Sequence, residues 1–482
     1  MFLITQAALF AQSSRGGFPR LEPLPKALEY SRRGAEGYTW TDLAEISLWA
    51  SGADSSRLDR IHSLARSIQS SPEFPALNRD RAEFILAYIH KNILKYYSIE
   101  QNSIDTVFFN GRYNCVSSAV LYLILCKSMG IDANGVMTRD HAFVTVVSDG
   151  ESIDVETTNP YGFDPGSRRE FHDQFGKLTG FAYVPARNYR ERQTISPIEL
   201  VSLILSNRIS VLERANRFTE AVPLAADRAA LLAGRTPAAA RGAEPAVSFF
   251  EDPREVLLVR LLNYGASLLS AGREEDCLAW AALASPGYGD DERWQELMTA
   301  AVNNRITKYL RAGQRAEARA FLNARQALLN RANYDQLDAM LIDSELLDRV
   351  NKLSGAAEAD SVIDAIAEAR SKGSINASRA SELLTYAIQK TAAILSAAPH
   401  RDWLAAINYI ENAIARFGPN RELEQSLRTY RSNRAADFHN RFAAAWNNNN
   451  RKEAVRILDE GLAEFPSDRQ LLADRETVNK AR

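Results

Sequence analysis

Cys115 is the residue whose type and position best suit covalent chemistry. It follows the turn and helix-cap formers Gly111 and Asn114, and the residues after it, as far as Ile131, are apolar at helical spacing. The sequence therefore predicts that Cys115 lies in the first turn of a buried helix. Unpaired main-chain N–H groups and the positive end of the helix dipole favour a thiolate there, and the thiolate is the nucleophile.

A histidine and two carboxylates follow this cysteine in a segment with the two-residue period of β-strands. Residues 135–147 are rich in β-branched and aromatic side chains, and residues 148–151 predict a hairpin turn before a second strand. Because side chains alternate between the faces of a strand, His141 lies on one face of the first strand, and Asp154 and Glu156 share one face of the second. A base that accepts the thiol proton and an acid that orients the base complete a nucleophilic site.

The composition is that of a globular protein and excludes several function classes. Hydrophobic residues make up 46 % and charged residues 24 % of 482 residues, and the formal net charge of −2 argues against a nucleic-acid partner. The three cysteines are too few and too scattered for a disulfide framework, and no metal-binding pair or cofactor motif is present. Cys126 and Cys277 are predicted to be structural residues inside helices.

The N-terminus resembles the end of a secretory signal peptide. It has an apolar run and the small residue Ala11 before a polar stretch, but no basic residue at its start. This pattern predicts export to the periplasm or cell envelope if Met1 is an internal start, and a cytoplasmic protein if the run is a loose apolar tail. No segment reaches the roughly 18 to 20 apolar residues that span a bilayer.

Three regions are predicted along the chain. Residues 1–38 contain the signal-like run and an extended lead-in with several prolines and glycines, and residues 39–193 form a mixed domain of helices and strands. In residues 194–482 strand signals almost vanish, and alanine- and leucine-rich helical pairs continue to the C-terminus.

A local theme of helix, short polar turn and second helix with a small residue in its first turn recurs in the third region. It is found at residues 214–221, 270–277, 311–318 and 446–454. The last occurrence and the helix after it match the second helix and exit turn of a tetratricopeptide repeat. Because the spacing is irregular, we expect a degenerate all-α solenoid, with an irregular helical bundle as the alternative.

The order of motifs resembles the transglutaminase-like superfamily of papain-type folds. The residues that carry the likeness are Gly-x-x-x-Cys-x-Ser from Gly111, His-Ala-Phe-Val from His141, and a final apolar-acid-x-Thr motif whose acid is Glu156. The likeness covers about residues 78–165, a minority of the chain. The resemblance implies an α+β domain with Cys115 as nucleophile, His141 as general base and an acid as the third member. The family has aspartate at the acid position, so Glu156 is the first choice and Asp154 the reserve.

Two further roles stay open at this stage. The main-chain N–H of Cys115 would be one oxyanion donor, and Tyr113 or Asn114 could supply the second. Residues Thr158, Asn159, Tyr161 and Phe163 would line the cleft or would be turn residues.

Two functions of different classes agree with the sequence. The first is a thiol-dependent acyl-transfer enzyme, a peptidase, amidase or transglutaminase, with helical repeats that bind a protein or peptide. The second is a non-catalytic interaction scaffold in which the domain is degenerate and the repeats bind the partner. The glutamate in place of aspartate keeps the second function open.

Overall fold

A computed structural model describes residues 17–35, 37–101, 103–139, 141–165, 192–233, 252–289, 291–397 and 401–480. The signal-like run lies outside the described residues, as does most of the segment predicted as a loop between residues 159 and 193. The chain divides into two compact units, residues 1–301 and residues 302–482.

Helices dominate the described part of the chain, which is 71 % helical with 19 α-helices. In the first unit these begin with α1 Pro25–Arg33, α2 Trp40–Ser51, α3 Leu58–Gln69, α4 Asn78–Asn92, α5 Ile104–Asn110, α6 Cys115–Ser128, α7 Pro197–Arg214, α8 Phe218–Leu231, α9 Pro253–Ser270 and α10 Glu274–Ala284. Helix α11, Glu292–Arg311, contains the boundary between the units. The second unit continues with α12 Arg315–Asn323, α13 Arg331–Asn351, α14 Ala356–Ser371, α15 Ala377–Leu395, α16 Trp403–Phe417, α17 Arg421–Asn447, α18 Arg451–Glu464 and α19 Arg469–Lys480.

Two small sheets accompany these helices in the first unit. Their strands are β1 Tyr96–Tyr97, β2 Arg112–Tyr113, β3 Asp132–Met137, β4 Ala142–Ser148, β5 Glu151–Val155 and β6 Gln193–Ile195. Strands β1 and β2 pair in parallel, and the other four form an antiparallel sheet in the order β5-β4-β3-β6.

Helix α6 is the centre of the first unit. Every residue from Val116 to Cys126 is buried, which is the pattern of a helix surrounded by other elements. Helices α2, α4, α5 and α7 and strands β3 and β4 pack around it. The core therefore fixes the start of α6, where Cys115 lies, against the sheet.

The predicted fold class, an α+β papain-like domain followed by a repeat solenoid, is wrong. The described chain is largely α-helical, with only small sheets. The β-branched residues that predicted a mixed domain form three short strands, β3, β4 and β5, whereas most of the core lies on helices. Helix α7, which begins after the predicted boundary at residue 193, contributes Ile198, Leu200 and Val201 to the same hydrophobic core as α6.

The first predicted strand, residues 135–147, is also wrong in detail. Strand β3 ends at Met137 and β4 begins at Ala142, and these two residues lie opposite each other in an antiparallel pair. The main-chain N–H of Thr138 donates to the carbonyl of His141 at 2.9 Å, so this histidine ends a hairpin turn. Between Met137 and Ala142, Asp140 is the single residue of a common turn-forming type, and no glycine or proline accompanies it.

A helix also forms inside the predicted extended lead-in. Helix α1 has proline at its first position, where the missing N–H costs nothing, and buries Ala27 and Tyr30. Burial of these two side chains explains why prolines did not prevent helix formation here.

The four recurring helix–turn–helix themes share one turn geometry. Each contains one residue in the left-handed region, namely Asn216, Gly272, Gly313 and Asn449, with φ of 57°, 71°, 74° and 56°. The N–H of the next residue donates to the carbonyl five positions earlier at 2.8 to 2.9 Å, a Schellman turn. The small residue that follows each turn is buried, as seen for Ala221, Cys277, Ala318 and Ala454. Cys277 thus occupies a packing position.

Within the described residues, no helix is long and apolar enough to cross a membrane.

Candidate active site

Cys115 is the first residue of helix α6, and a capping box holds it there. The Asn114 Oδ1 atom accepts from the Ser117 N–H at 2.9 Å, and the Asn114 N–H donates to Ser117 Oγ at 3.0 Å. These bonds give partners to two main-chain N–H groups that the start of a helix otherwise leaves unpaired. As the first residue of the helix, Cys115 lies at the positive end of the helix dipole. The residue is partly exposed, so a ligand can reach it.

His141 connects this cysteine to a carboxylate. Its Nε2 atom lies 2.6 Å from Glu156 Oε2, and its side chain is also hydrogen bonded to the Cys115 thiol. Cys115 and His141 also line the same pocket. The imidazole therefore lies between the nucleophile and the acid.

Glu156 is buried, and both of its carboxylate oxygens are satisfied. While Oε2 contacts His141, Oε1 accepts from the Thr158 N–H at 3.1 Å and from the Thr158 hydroxyl at 2.7 Å. These contacts fix the carboxylate at the end of strand β5. Glutamate thus occupies the acid position and reaches the imidazole.

A close main-chain approach fixes the backbone of Glu156. Its N–H donates to the carbonyl of Gly162 at 2.7 Å, and the Gly162 N–H donates to the carbonyl of Asn159 at 3.0 Å. A Cβ atom on residue 162 would collide with the main-chain oxygen of Glu156. Only glycine fits at this point of the turn.

Asp154 lies elsewhere on the same sheet. It accepts from the Thr145 hydroxyl at 3.0 Å and forms a two-pronged ion pair with Arg192 at 2.7 and 2.8 Å. The reserve acid therefore faces an arginine, and Glu156 alone of the two contacts His141.

The buried pair of Glu156 and His141 is held in its charged form. Burial by itself lowers the pKa of His141, but the charge of Glu156 and hydrogen bonds to Cys115 and Glu156 raise the pKa well above 6.5. Burial by itself raises the pKa of Glu156, but His141 and then Thr158 bring the pKa below 4.5. At neutral pH the site holds an imidazolium and a carboxylate.

A second layer of groups fixes the turn after Glu156, and sequence reasoning missed most of it. The Tyr113 hydroxyl donates to the Thr158 carbonyl at 3.1 Å, and Nε2 of His90 lies 3.0 Å from the Thr157 carbonyl. Burial lowers the pKa of His90 to about 4, so a neutral ring donates this bond. His90 lies on helix α4, and its only sequence signal was that histidines are few.

The other candidate residues have contacts of their own. The main-chain N–H of Asn114 donates within the capping box, and the Tyr113 hydroxyl donates to the Thr158 carbonyl. Thr158, Asn159 and Phe163 are buried, and Tyr161 is exposed. All four are absent from the described lining of the pocket at Cys115.

The remaining two cysteines are unsuited to nucleophilic chemistry. Burial raises the pKa of Cys126 to about 12 and that of Cys277 to about 12. A thiol with such a pKa stays protonated at neutral pH. Chemistry at a thiolate therefore centres on Cys115.

A pocket of about 340 Å³ opens beside Cys115 and His141. Its other described lining residues are Val116, Met137, Thr138, Arg139, Ala142, Leu203, Ser206, Asn207, Ile209, Ser210, Arg228, Val256 and Arg260. The lining combines apolar side chains from α7 and α9 with hydroxyl, amide and guanidinium groups, as ligand sites do. Among the described residues, no group of three or more histidine, cysteine, aspartate or glutamate side chains is arranged to hold a metal ion.

Substitution of Gly162 by alanine tests whether the turn positions the acid. The added Cβ meets main-chain atoms, so the turn must open, and we expect the free energy of unfolding of the first unit to fall by about 2 kcal/mol. Thermal melting measures the change. Gly287→Ala is the control, since nothing lies within 4 Å of the added Cβ there; equal melting temperatures for the two variants would contradict the assignment.

Substitution of Glu156 by glutamine tests the charged pair through the pH dependence of stability. The raised pKa of His141 stabilises the fold fully below pH 6.5, and this contribution is lost as pH rises through the raised value. The lowered pKa of Glu156 stabilises the fold fully above pH 4.5, and this contribution is lost as pH falls through the lowered value.

The stability difference between the wild type and Glu156→Gln should therefore be largest between pH 4.5 and 6.5, and we expect about 3 kcal/mol for breaking a buried pair. Denaturant unfolding across this pH range measures it, with the exposed Glu73→Gln as control. A difference that is independent of pH would show that the pair is not charged.

Comparison with known proteins gives no match from which the chemistry of this site could be inferred. No protein-family model matches the chain, and no curated protein matches it. What the site can do therefore follows from the contacts of Cys115, His141 and Glu156.

Proposed function

We propose that this protein is a thiol-dependent acyl-transfer enzyme, with Cys115 as nucleophile, His141 as acid and base, and Glu156 as the group that orients and charges the imidazole. The observation that carries the proposal is that one imidazole ring contacts both the Cys115 thiol and the Glu156 carboxylate. These two contacts are the ones that activate a thiol nucleophile.

The charge state of the pair sets the order of proton transfers. Because the pKa of His141 is raised well above 6.5, the imidazole already carries a proton at neutral pH, and an imidazolium beside a thiol favours the thiolate. The thiolate attacks the carbonyl carbon of the acyl donor, and the developing oxyanion lies near the main-chain N–H of Cys115 at the helix start.

Collapse of the tetrahedral intermediate then requires an acid. His141 donates its proton to the leaving amine as the carbon–nitrogen bond breaks, which leaves an acyl thioester on Cys115. His141 next takes a proton from water or from an acceptor amine, whose attack releases a carboxylic acid or a new amide. Glu156 keeps the imidazole in place through both halves.

Two further features support the proposal. The order of Cys115, His141 and Glu156 along the chain resembles that of the transglutaminase-like superfamily, which has peptidase, amidase and transglutaminase members. The recurring helix–turn–helix pairs are surfaces to which a protein or peptide partner could bind, and recognition of such a partner is part of the proposal.

Alkylation by iodoacetamide tests the thiolate. We expect Cys115 to be labelled about tenfold faster or more at neutral pH in the wild type than in His141→Asn, because the variant lacks the imidazole contact that activates the thiol. Peptide-level mass spectrometry after timed labelling measures both rates.

Cys126 supplies the internal control, since burial raises its pKa to about 12, and it should stay unlabelled in the folded protein. Cys126→Ala should leave the labelling rate of Cys115 unchanged. If Cys115 reacts no faster than Cys126, or if Cys115 in His141→Asn is labelled at the wild-type rate, the acyl-transfer function is excluded and an interaction scaffold is the better description.

A further inference from the structure

One face of helix α7 forms a wall of the pocket beside Cys115. Leu203, Ser206, Asn207 and Ser210 line the pocket, and their spacing of three and four residues places them on one side of the helix. Helix α7 packs against both helix α6 and strand β3, and both of these elements also contribute to the lining. The three polar residues of this face, Ser206, Asn207 and Ser210, form what we call the polar stripe.

The polar stripe begins where the buried part of helix α7 ends. Every residue from Ile198 to Leu205 is buried, whereas Ser206, Asn207 and Ser210 are partly exposed. The first half of the helix therefore anchors α7 in the core, and the second half presents polar side chains to the pocket.

The side chains of the polar stripe differ from that of an earlier serine in the same helix. Ser202 donates its hydroxyl to the carbonyl of Glu199 at 2.7 Å. Within the described part of the chain, the side chains of Ser206, Asn207 and Ser210 form no hydrogen bond of this kind. A ligand in the pocket would complete their hydrogen bonding, and polar groups of this sort fix the orientation of a ligand.

The chemistry of the polar stripe suits an amide group. The asparagine side chain carries a carbonyl acceptor and an NH2 donor, and each serine hydroxyl both donates and accepts. An amide group likewise carries one donor and one acceptor, and it has no charge. The distance from Ser206 to Ser210 along the helix axis is roughly 6 Å, about the length of two residues of an extended chain.

We propose that the polar stripe binds an uncharged amide group of the acyl donor, close to the scissile carbonyl, and that Ser206, Asn207 and Ser210 are specificity-determining residues. The substrate class is then a donor with at least two neighbouring amide groups, as in a peptide. The inference rests on the proposed acyl-transfer function and adds the chemical class of its substrate. Binding of the second amide holds the scissile carbonyl against Cys115.

A pair of alkylating reagents of similar shape tests the amide preference. Chloroacetylglycinamide and N-isobutylchloroacetamide react in the same way, because the thiolate displaces chloride as the sulfur–carbon bond forms. The first ends in a carboxamide and the second in an isopropyl group, which neither donates nor accepts. The measured quantity is the glycinamide rate divided by the isobutyl rate at Cys115. We expect this ratio to be about fivefold or more above that of the urea-unfolded chain, since an isopropyl group leaves the polar stripe unpaired.

Variants of the polar stripe assign the effect to helix α7. Asn207→Leu removes a donor and an acceptor at similar side-chain size, so it should lower the ratio most. Ser206→Ala and Ser210→Ala should each lower the ratio about twofold, since each removes one hydroxyl. Leucine and alanine both have higher helix propensity than the residues they replace, and an unchanged melting temperature would show that the helix is intact.

Two matched controls show whether the change is local. Ser202→Ala removes a hydroxyl from the same helix, and Asn304→Leu makes the same exchange as Asn207→Leu at an exposed position of helix α11. Both positions lie outside the described pocket lining. Both variants should keep the wild-type ratio.

The outcomes separate this inference from the proposed function. If iodoacetamide labels Cys115 selectively but the native ratio equals that of the unfolded chain, the amide preference is overturned while the acyl-transfer function stands. The same conclusion follows if Ser206→Ala, Asn207→Leu and Ser210→Ala all keep the wild-type ratio. If iodoacetamide labels Cys115 no faster than Cys126, the proposed function itself fails.

Discussion

The contact on which the site depends is the 2.6 Å hydrogen bond between His141 and Glu156. Removing a carboxylate from water costs several kcal/mol, and this cost is offset only when the charge has a partner and its other lone pairs are satisfied. Glu156 meets both conditions, because His141 binds one oxygen and Thr158 binds the other twice. A buried acid of this kind requires that the turn after strand β5 be held rigidly.

The rest of the first unit can be understood as support for that turn and for the start of helix α6. Tyr113 and His90 bind the carbonyls of Thr158 and Thr157, and Ser118 on helix α6 lies 2.9 Å from the Thr157 hydroxyl. The helix that presents Cys115 is thus linked to the turn that presents Glu156. A cluster of buried polar groups in which each member has a partner rigidifies the surrounding core.

Local signals predicted part of this site. The capping residues Asn114 and Ser117 are adjacent to Cys115 in sequence, and the turn at Asp149 and Gly150, both with positive φ, fixes the register of β4 and β5. Elements that act over a few residues are therefore visible without a structure. The reversal before His141 was missed, because Asp140 is its single common turn-forming residue. The segment predicted as one strand from 135 to 147 contains two strands.

The fold class was not predictable in the same way. Whether helix α7 joins the core of α6 or begins a separate domain depends on whether Ile198 and Leu200 pack against α6, which lies 70 or more positions earlier in the chain. The hydrophobic periodicity is the same in both cases. The expectation of a mixed domain with a separate helical array failed for this reason. Local signals do not predict the pocket lining either, since α7, α8 and α9 meet the candidate site only through the tertiary fold.

Burial of the site explains why the acid behind the histidine must be ionised. Removal of the His141 ring from water by itself lowers the pKa of the ring, so burial alone disfavours the imidazolium. Without a compensating negative charge, the imidazole would lose the proton that it gives to the leaving group in the proposed mechanism. Glu156 supplies that charge in direct contact with the ring, and Thr158 favours the ionised carboxylate through two hydrogen bonds. A buried imidazolium and a buried, charged carboxylate therefore require each other, and a neutral acid could not replace the carboxylate.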